Sequence, residues 1–321
     1  MEENYILAKQ VVSKKFNSSN DFYYMFICSL FGMFMKYPDY KELIIKAFED
    51  TRIIIENKSV LEIQDEYDLQ LIAKEELDVQ DESVCMNHGV SDLGFCIAIE
   101  NGKLEISKER PTIVCSAKTC STTNLLNVFT HELNHVIKGQ LNAYGCGSNL
   151  DVSSCYTRCG LVFNSYTYNK GSDILEEEEY YSILDEVINV FQTRDIMKNI
   201  LMLDGVIPDD EFQKYFDSLD KEEMVQLNGY DKCCELFTRI WRNQHLREIL
   251  EKNLIDGELE NITIEFDNAV GMECFDVMAD YFDDLDYLFC VNKSKRNFEK
   301  CYIKLNDLIS SIATSAYKLK K

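Results

Sequence analysis

His131-Glu132-Leu133-Asn134-His135 places the residue types of metal chemistry at a spacing that suits them. On a helix, positions four apart share one face, with Cβ atoms about 5–6 Å apart. Two imidazoles so arranged can share one Zn²⁺ through nitrogens at about 2.0–2.1 Å. Glu132 then stands beside the metal without ligating it, where a carboxylate can take a proton from a water that the metal activates. The chain has only four histidines, and two of them lie in this pentapeptide.

The surroundings suit a helix running from about residue 123 to 138. Ser121, Thr122 and Thr123 offer N-caps, and Gly139 follows Lys138 as a C-terminal stop. At 100° per residue, Leu126, Phe129, Leu133, Val136 and Ile137 gather in one stripe, and His131 and His135 point away from it. One face is thus expected on a core and the other on a cleft. An ordinary amphipathic helix can also carry histidines on its wet face.

At these residues the chain resembles the zincin metallopeptidases, over roughly residues 95–195. That resemblance implies peptide-bond hydrolysis at zinc, with His131 and His135 as ligands and Glu132 as general base. It also implies a small sheet before the motif helix, one edge of which binds extended substrate. A catalytic zinc needs a third protein ligand and an open position for water. The metzincin histidine is absent, since no histidine follows His135 at that spacing. Residues 184–189, Leu184-Asp185-Glu186-Val187-Ile188-Asn189, resemble the gluzincin N-E-x-x-S-D segment instead, with Asp185 replacing the asparagine and Val190 the second-shell aspartate. The third ligand is therefore expected to be Glu186, at the edge of a stripe of Leu184, Val187 and Phe191. Glu179 is the runner-up, and Asp185 points to the opposite side. The departure at Val190 leaves a histidine needing another orienting partner.

Composition narrows the partners. The chain has 321 residues, 33 basic and 56 acidic, for a formal net charge of −23. Such a charge repels phosphate backbones and anionic membranes, so nucleic acid is not expected as a partner, whereas a neutral or basic peptide or protein substrate is attracted. An apolar content of 46% is enough to bury a core. The 13 cysteines form no C-x-x-C pair. They read as reduced core residues of a cytoplasmic protein, with a disulfide-linked exported protein as the other reading.

The rest of the chain frames the motif. Residues 4–16 read as a helix, and residues 22–35 carry no charge. That stretch is short for a membrane span and lacks a cleavage site, so a buried helix is expected, with membrane contact as the alternative. Leu43, Ile44, Ala47, Phe48, Thr51, Ile54 and Ile55 read as one amphipathic helix. Val60, Leu61 and Ile63 suit the start of a strand. Asn101-Gly102 between apolar runs marks a hairpin, and residues 112–115 another strand. Residues 140–154 read as a loop. Asp173 reads as the cap of a second long helix, with Glu176-Glu177-Glu178-Glu179 as its solvated first turn. Beyond residue 196 nearly everything reads as helix, apart from a possible strand at Ile262-Thr263-Ile264.

The expectation is a mostly helical α+β protein. An N-terminal helical region spans residues 1–83, a zincin-like catalytic region with a small sheet and active-site helix spans 84–195, and a helical part spans 196–321. Its activity is expected to be that of a zinc-dependent metallopeptidase, or else the zincin fold serves a catalytically silent regulatory or binding role. His245 and the tyrosines at 166, 168, 180 and 181 are the candidates for oxyanion stabilisation. Arg158 suits either a substrate carboxylate or a structural partner.

Overall fold

The computed structural model describes residues 1–67, 69, 89–139, 144–149, 151–207, 209–256, 259–290, 292 and 294–318. The start of the expected catalytic region at 84 and part of the expected loop, residues 140–143 and 150, lie outside the described residues. The protein is α+β and mostly helical. In chain order the elements are α1 (Glu2–Lys15), α2 (Tyr23–Lys36), α3 (Lys41–Asp50), β1 (Arg52–Glu56), α4 (Val60–Glu66), β2 (Gly89–Asp92), β3 (Phe95–Glu100), β4 (Lys103–Lys108) and β5 (Thr112–Ser116). Then follow α5 (Thr122–Lys138), β6 (Tyr144–Ser148), β7 (Val152–Cys159), β8 (Val162–Asn169), β9 (Ile174–Tyr180) and α6 (Ser182–Ile200). The last stretch holds α7 (Asp210–Asp217), α8 (Asp231–Trp241), α9 (Gln244–Asp256), α10 (Leu259–Val270), α11 (Phe275–Cys290) and α12 (Lys295–Lys318).

Two compact units divide the chain, each assembled from three separated stretches, whereas the sequence reading drew three consecutive regions. One unit comprises Met1–Gly94, Arg110–Ile137 and Gln192–Leu227; the other comprises Phe95–Glu109, Lys138–Phe191 and Asn228–Lys321. Helices α5 and α6 run without a break through both sets of residues.

In the first unit β5 lies between β1, parallel to it, and β2, antiparallel to it. Ile54 and Val114 on one face of this sheet pack on Val60 and Ile63 of α4, whose start is closed by a capping box between Ser59 and Glu62. Helix α2, uncharged up to Met35, is buried at every residue from 25 to 34. Phe26 packs on Phe129 of α5 with ring centroids 5.0 Å apart, and Thr130 donates a hydrogen bond to Ser29 at 3.0 Å. Its other side meets α6 at Gly32, where Asn199 donates to the Gly32 carbonyl. Protein thus covers the faces of α2 that a membrane reading would have given to lipid. Among the described residues no helix is long and apolar enough to cross a membrane.

In the second unit β3 and β4 form the expected hairpin, with Asn101 and Gly102 both at positive φ, 52° and 71°, as this two-residue turn requires. Strands β6 to β9 form an antiparallel meander. The hairpin packs on one of its faces through Leu104, which clusters with Cys155 and Tyr168. Among the C-terminal helices, Phe191 of α6 packs on Trp241 at 5.3 Å, and Phe237 on Phe282 at 5.9 Å. No disulfide joins the described cysteines.

Several local expectations are corrected. Thr51, Ile54 and Ile55 do not extend α3; the helix stops at Asp50, and the β-branched run that follows becomes β1 because β5 offers it a parallel partner. Val60, Leu61 and Ile63 belong to a helix, since the cap at Ser59 and burial against the sheet favour one there. Residues 140–154 contain β6 and the start of β7. Ile262-Thr263-Ile264 lies within α10. The largest correction concerns residues 173–180. Asp173 sits in a hairpin turn at φ 55°, and Glu176 to Glu179 belong to β9, while the helix begins only at Ser182. Pairing with β8, which carries Val162, Phe163, Tyr166, Thr167 and Tyr168, overrides the weak strand propensity of glutamate.

A Cβ at Gly32 would stand 2.7 Å from Ile196 Cγ2 and 2.8 Å from the Ile196 carbonyl oxygen. In an open helix Gly→Ala gains about 0.5–1 kcal/mol. Gly32→Ala is instead expected to lower stability by about 1–3 kcal/mol, the cost of overpacking, as read by urea unfolding. An unchanged or raised midpoint would show that α2 and α6 are not closely packed.

Candidate metal centre

The motif helix starts where Ser121 accepts a hydrogen bond from the Asn124 N–H at 3.0 Å, the expected capping. Its apolar stripe is fully buried at Leu126, Phe129, Leu133, Val136 and Ile137. Thr130, Asn134 and Lys138 are buried as well, so the helix is enclosed more completely than an amphipathic pattern implies. Between residues 129 and 139, His131 alone is not buried. The same holds on α6, where Glu186 alone is not buried between residues 184 and 193.

These two openings belong to one group. The ligating atoms of His131, His135 and Glu186 all lie within 4.8 Å of one another, a set that can hold a metal ion. The two Nε2 atoms converge to 3.1 Å. Tetrahedral ligation with bonds of about 2.0–2.1 Å puts two nitrogens about 3.3 Å apart, so the imidazoles stand close to a shared-ion spacing. A hydrogen bond between neutral rings gives a similar distance, and the third donor separates the two cases. A carboxylate at the same point turns a ring pair into a two-nitrogen, one-oxygen donor set. Zinc, and other divalent ions that accept imidazole, suit such a set.

Glu132 is buried and does not belong to that set. It faces the sheet, where Ser91 of β2 donates a hydrogen bond to its Oε2 at 2.8 Å. Gly89, two residues earlier on the same strand face, leaves room for it. A Cβ there would stand 3.1 Å from Glu132 Cγ and 3.2 Å from Oε1, and would clash with Val128. Neither Gly89 nor Ser91 was legible as a site residue, because strand pairing alone brings them to a carboxylate some 40 positions later in sequence.

Asp185 points away from Glu186, as expected, but its surroundings give it a separate task. It is fully buried and pairs with the equally buried Lys138 at 2.8 Å, while also accepting from the Leu161 N–H at 2.8 Å. Lys138 ends α5, so this pair fixes the end of the motif helix to the turn of α6 that carries Glu186. A second buried bond, from Asn134 Nδ2 to Gln192 Oε1 at 3.0 Å, joins the same two helices. Arg158 is buried and donates from Nε to the Gly160 carbonyl, within the field of Asp185, which favours the structural reading over a substrate contact.

Other candidates stand outside the group. Glu179, the runner-up ligand, is an exposed residue of β9, the strand just before the helix it was expected to share. His245 lies in the first turn of α9, where Asn243 accepts from its backbone N–H. The four candidate tyrosines each engage a carboxylate. Tyr168 donates to Asp173 at 2.6 Å, Tyr180 to Glu178 at 2.6 Å and Tyr181 to Asp276 at 2.9 Å, while Tyr166 bonds to Glu177. No family profile, curated protein or solved structure matches the chain.

Two expected outcomes follow from the anchoring of α6. Glu186→Ala should weaken metal binding at least about tenfold with little effect on folding, whereas Asp185→Ala should cost about 3–5 kcal/mol of stability by stranding Lys138. Metal titration and urea unfolding of both variants separate the roles, and a fall in affinity for Glu179→Ala alone would refute the ligand assignment. Asp283 accepts from the Ile183 N–H at the start of α6 at 3.2 Å. Burial pushes its carboxyl up to about 6, with Asp280, Glu179 and Asp286 adding to the effect and the Ile183 N–H opposing it. Unfolded, it titrates near 3.9. Between about pH 4 and 6 the folded state therefore binds more protons, and stability falls as pH rises through that window. Asp283→Asn keeps an acceptor and loses the charge, so calorimetry should find its melting temperature raised at neutral pH and near parental below pH 4.

Proposed function

We propose that the chain is a zinc-dependent metallopeptidase of the zincin type, with His131, His135 and Glu186 as ligands and Glu132 as general base. The convergence of three donor side chains from two helices within 4.8 Å carries this reading, with a buried carboxylate set between the two histidines in sequence. When bound, zinc supplies Lewis acidity to a water and to a peptide carbonyl. Glu132 takes the proton from that water and returns it to the leaving amine. The Ser91 hydroxyl holds one carboxylate oxygen, which fixes the orientation of the base. Strand β2 is an edge of its sheet among the described residues, and Gly89 and Ser91 adjoin Glu132. An extended peptide pairing with that edge would bring its backbone to the base.

The alternative is a catalytically silent protein that keeps the metal group for regulation or binding. Glu132→Gln distinguishes the two. It should retain metal, as measured by mass spectrometry after desalting, and lose about 10²–10⁴-fold in peptide hydrolysis. Near-parental turnover by the variant would remove Glu132 from the mechanism. A parent that binds metal and cleaves nothing in broad peptide pools would establish the silent reading.

A further inference from the structure

The meander of β6 to β9 has two unlike faces. One is covered by the β3–β4 hairpin through Leu104, Cys155 and Tyr168. On the other, Tyr156, Phe163 and Tyr180 form a ladder across three strands. Tyr156 and Phe163 stack at 5.5 Å with an interplanar angle of 21°, and Phe163 meets Tyr180 at 6.3 Å. Tyr156 and Tyr180 are 40% and 43% exposed. Alternation along β9 puts Glu176 and Glu178 on the same face as Tyr180, and both are exposed. Gly145 and Gly147 of β6 leave the far end bare. The ring of Tyr156 lies over Gly145, where a Cβ would stand 2.6 Å from its Cε1. Together with Ser154, Tyr156, Phe163 and Thr167, these glycines line a concavity of about 500 Å³.

This face presents no exposed cation from its strands. The four strands contain one cation, Arg158, which pairs with Phe163 on this face and is buried. Aromatic faces beside carboxylates attract guanidinium and ammonium groups through both the ring quadrupole and the full charge. A neutral saccharide could stack on the rings, but nothing would compensate the glutamates. At the outer side of β9, its edge pairs with no strand among the described residues, so an extended segment can run alongside it.

We propose that this sheet face is a docking site for an extended, cationic peptide segment, whose Arg and Lys side chains lie over Tyr156, Phe163 and Tyr180 beside Glu176 and Glu178. It involves neither the metal ligands nor Glu132, so docking and hydrolysis can fail independently.

The test uses the full chain carrying Glu132→Gln, with and without chelator, and a fluorescent ten-residue peptide alternating arginine with threonine. Anisotropy should show binding in both conditions that weakens as salt rises. The same peptide with glutamine or glutamate in place of arginine should bind at least about tenfold more weakly. Tyr156→Ser should lower affinity by about two- to fivefold. Glu176→Lys with Glu178→Lys should lower it by about tenfold or more, both sites being exposed and the melting curve serving as the control for folding. Equal binding of the three peptides would overturn the proposal, as would indifference to the charge reversal. It would equally be overturned if the face binds only a neutral oligosaccharide, or only a second copy of the chain by sedimentation.

Discussion

The ion pair between Lys138 and Asp185 is the constraint on which the candidate centre depends. Both side chains are withdrawn from water, with 1% and 0% of their surfaces exposed, and they meet at 2.8 Å. Burying two charges costs several kcal/mol per ion, and their attraction repays this only in good geometry with the remaining bonding positions filled. Asp185 meets that condition by accepting the Leu161 N–H as well. A misregistered pairing of α5 with α6 would leave one charge buried and alone. The pair therefore disfavours the wrong registers more than it adds net stability, and Glu186 is the neighbouring residue that this register presents beside the histidines.

The apolar surroundings serve the same end. Helix α2 touches α5 through Phe26 and Ser29 and α6 through Gly32, so one mostly apolar helix backs both helices that carry the candidate ligands. A tightly packed backing resists the small shifts that would spoil ligand spacing, since close-packed interiors transmit strain instead of absorbing it. Helix α5 also lies against β2. There the absence of a side chain at Gly89 and the hydroxyl of Ser91 fit the carboxylate of Glu132. Glu132 is thus held by strand β2, apart from the group that His131, His135 and Glu186 form.

The sequence by itself determined the features written in short spacings. The i, i+4 histidines, the Ser121 cap and the stop at Gly139 define the motif helix, because helix faces and caps are decided within a few residues. Asn101-Gly102 defines its hairpin, because positive φ at two successive positions is a local demand. The burial of residues 25–34 and the placing of Glu186 beside the two histidines were also legible, the second through a resemblance to a known segment. Only the tertiary structure decided the rest. Residues 174–180 carry a helix-compatible run of glutamates and become a strand because β8 offers a ladder, which removed Glu179 from consideration as a ligand. Residues 52–56 become β1 because β5 arrives some 60 positions later to pair with them. Ser91 meets Glu132, and Lys138 meets Asp185, by the same kind of distant closure. Strand pairing and buried charge pairing draw their energy from partners far along the chain, and no local pattern records which partner will come.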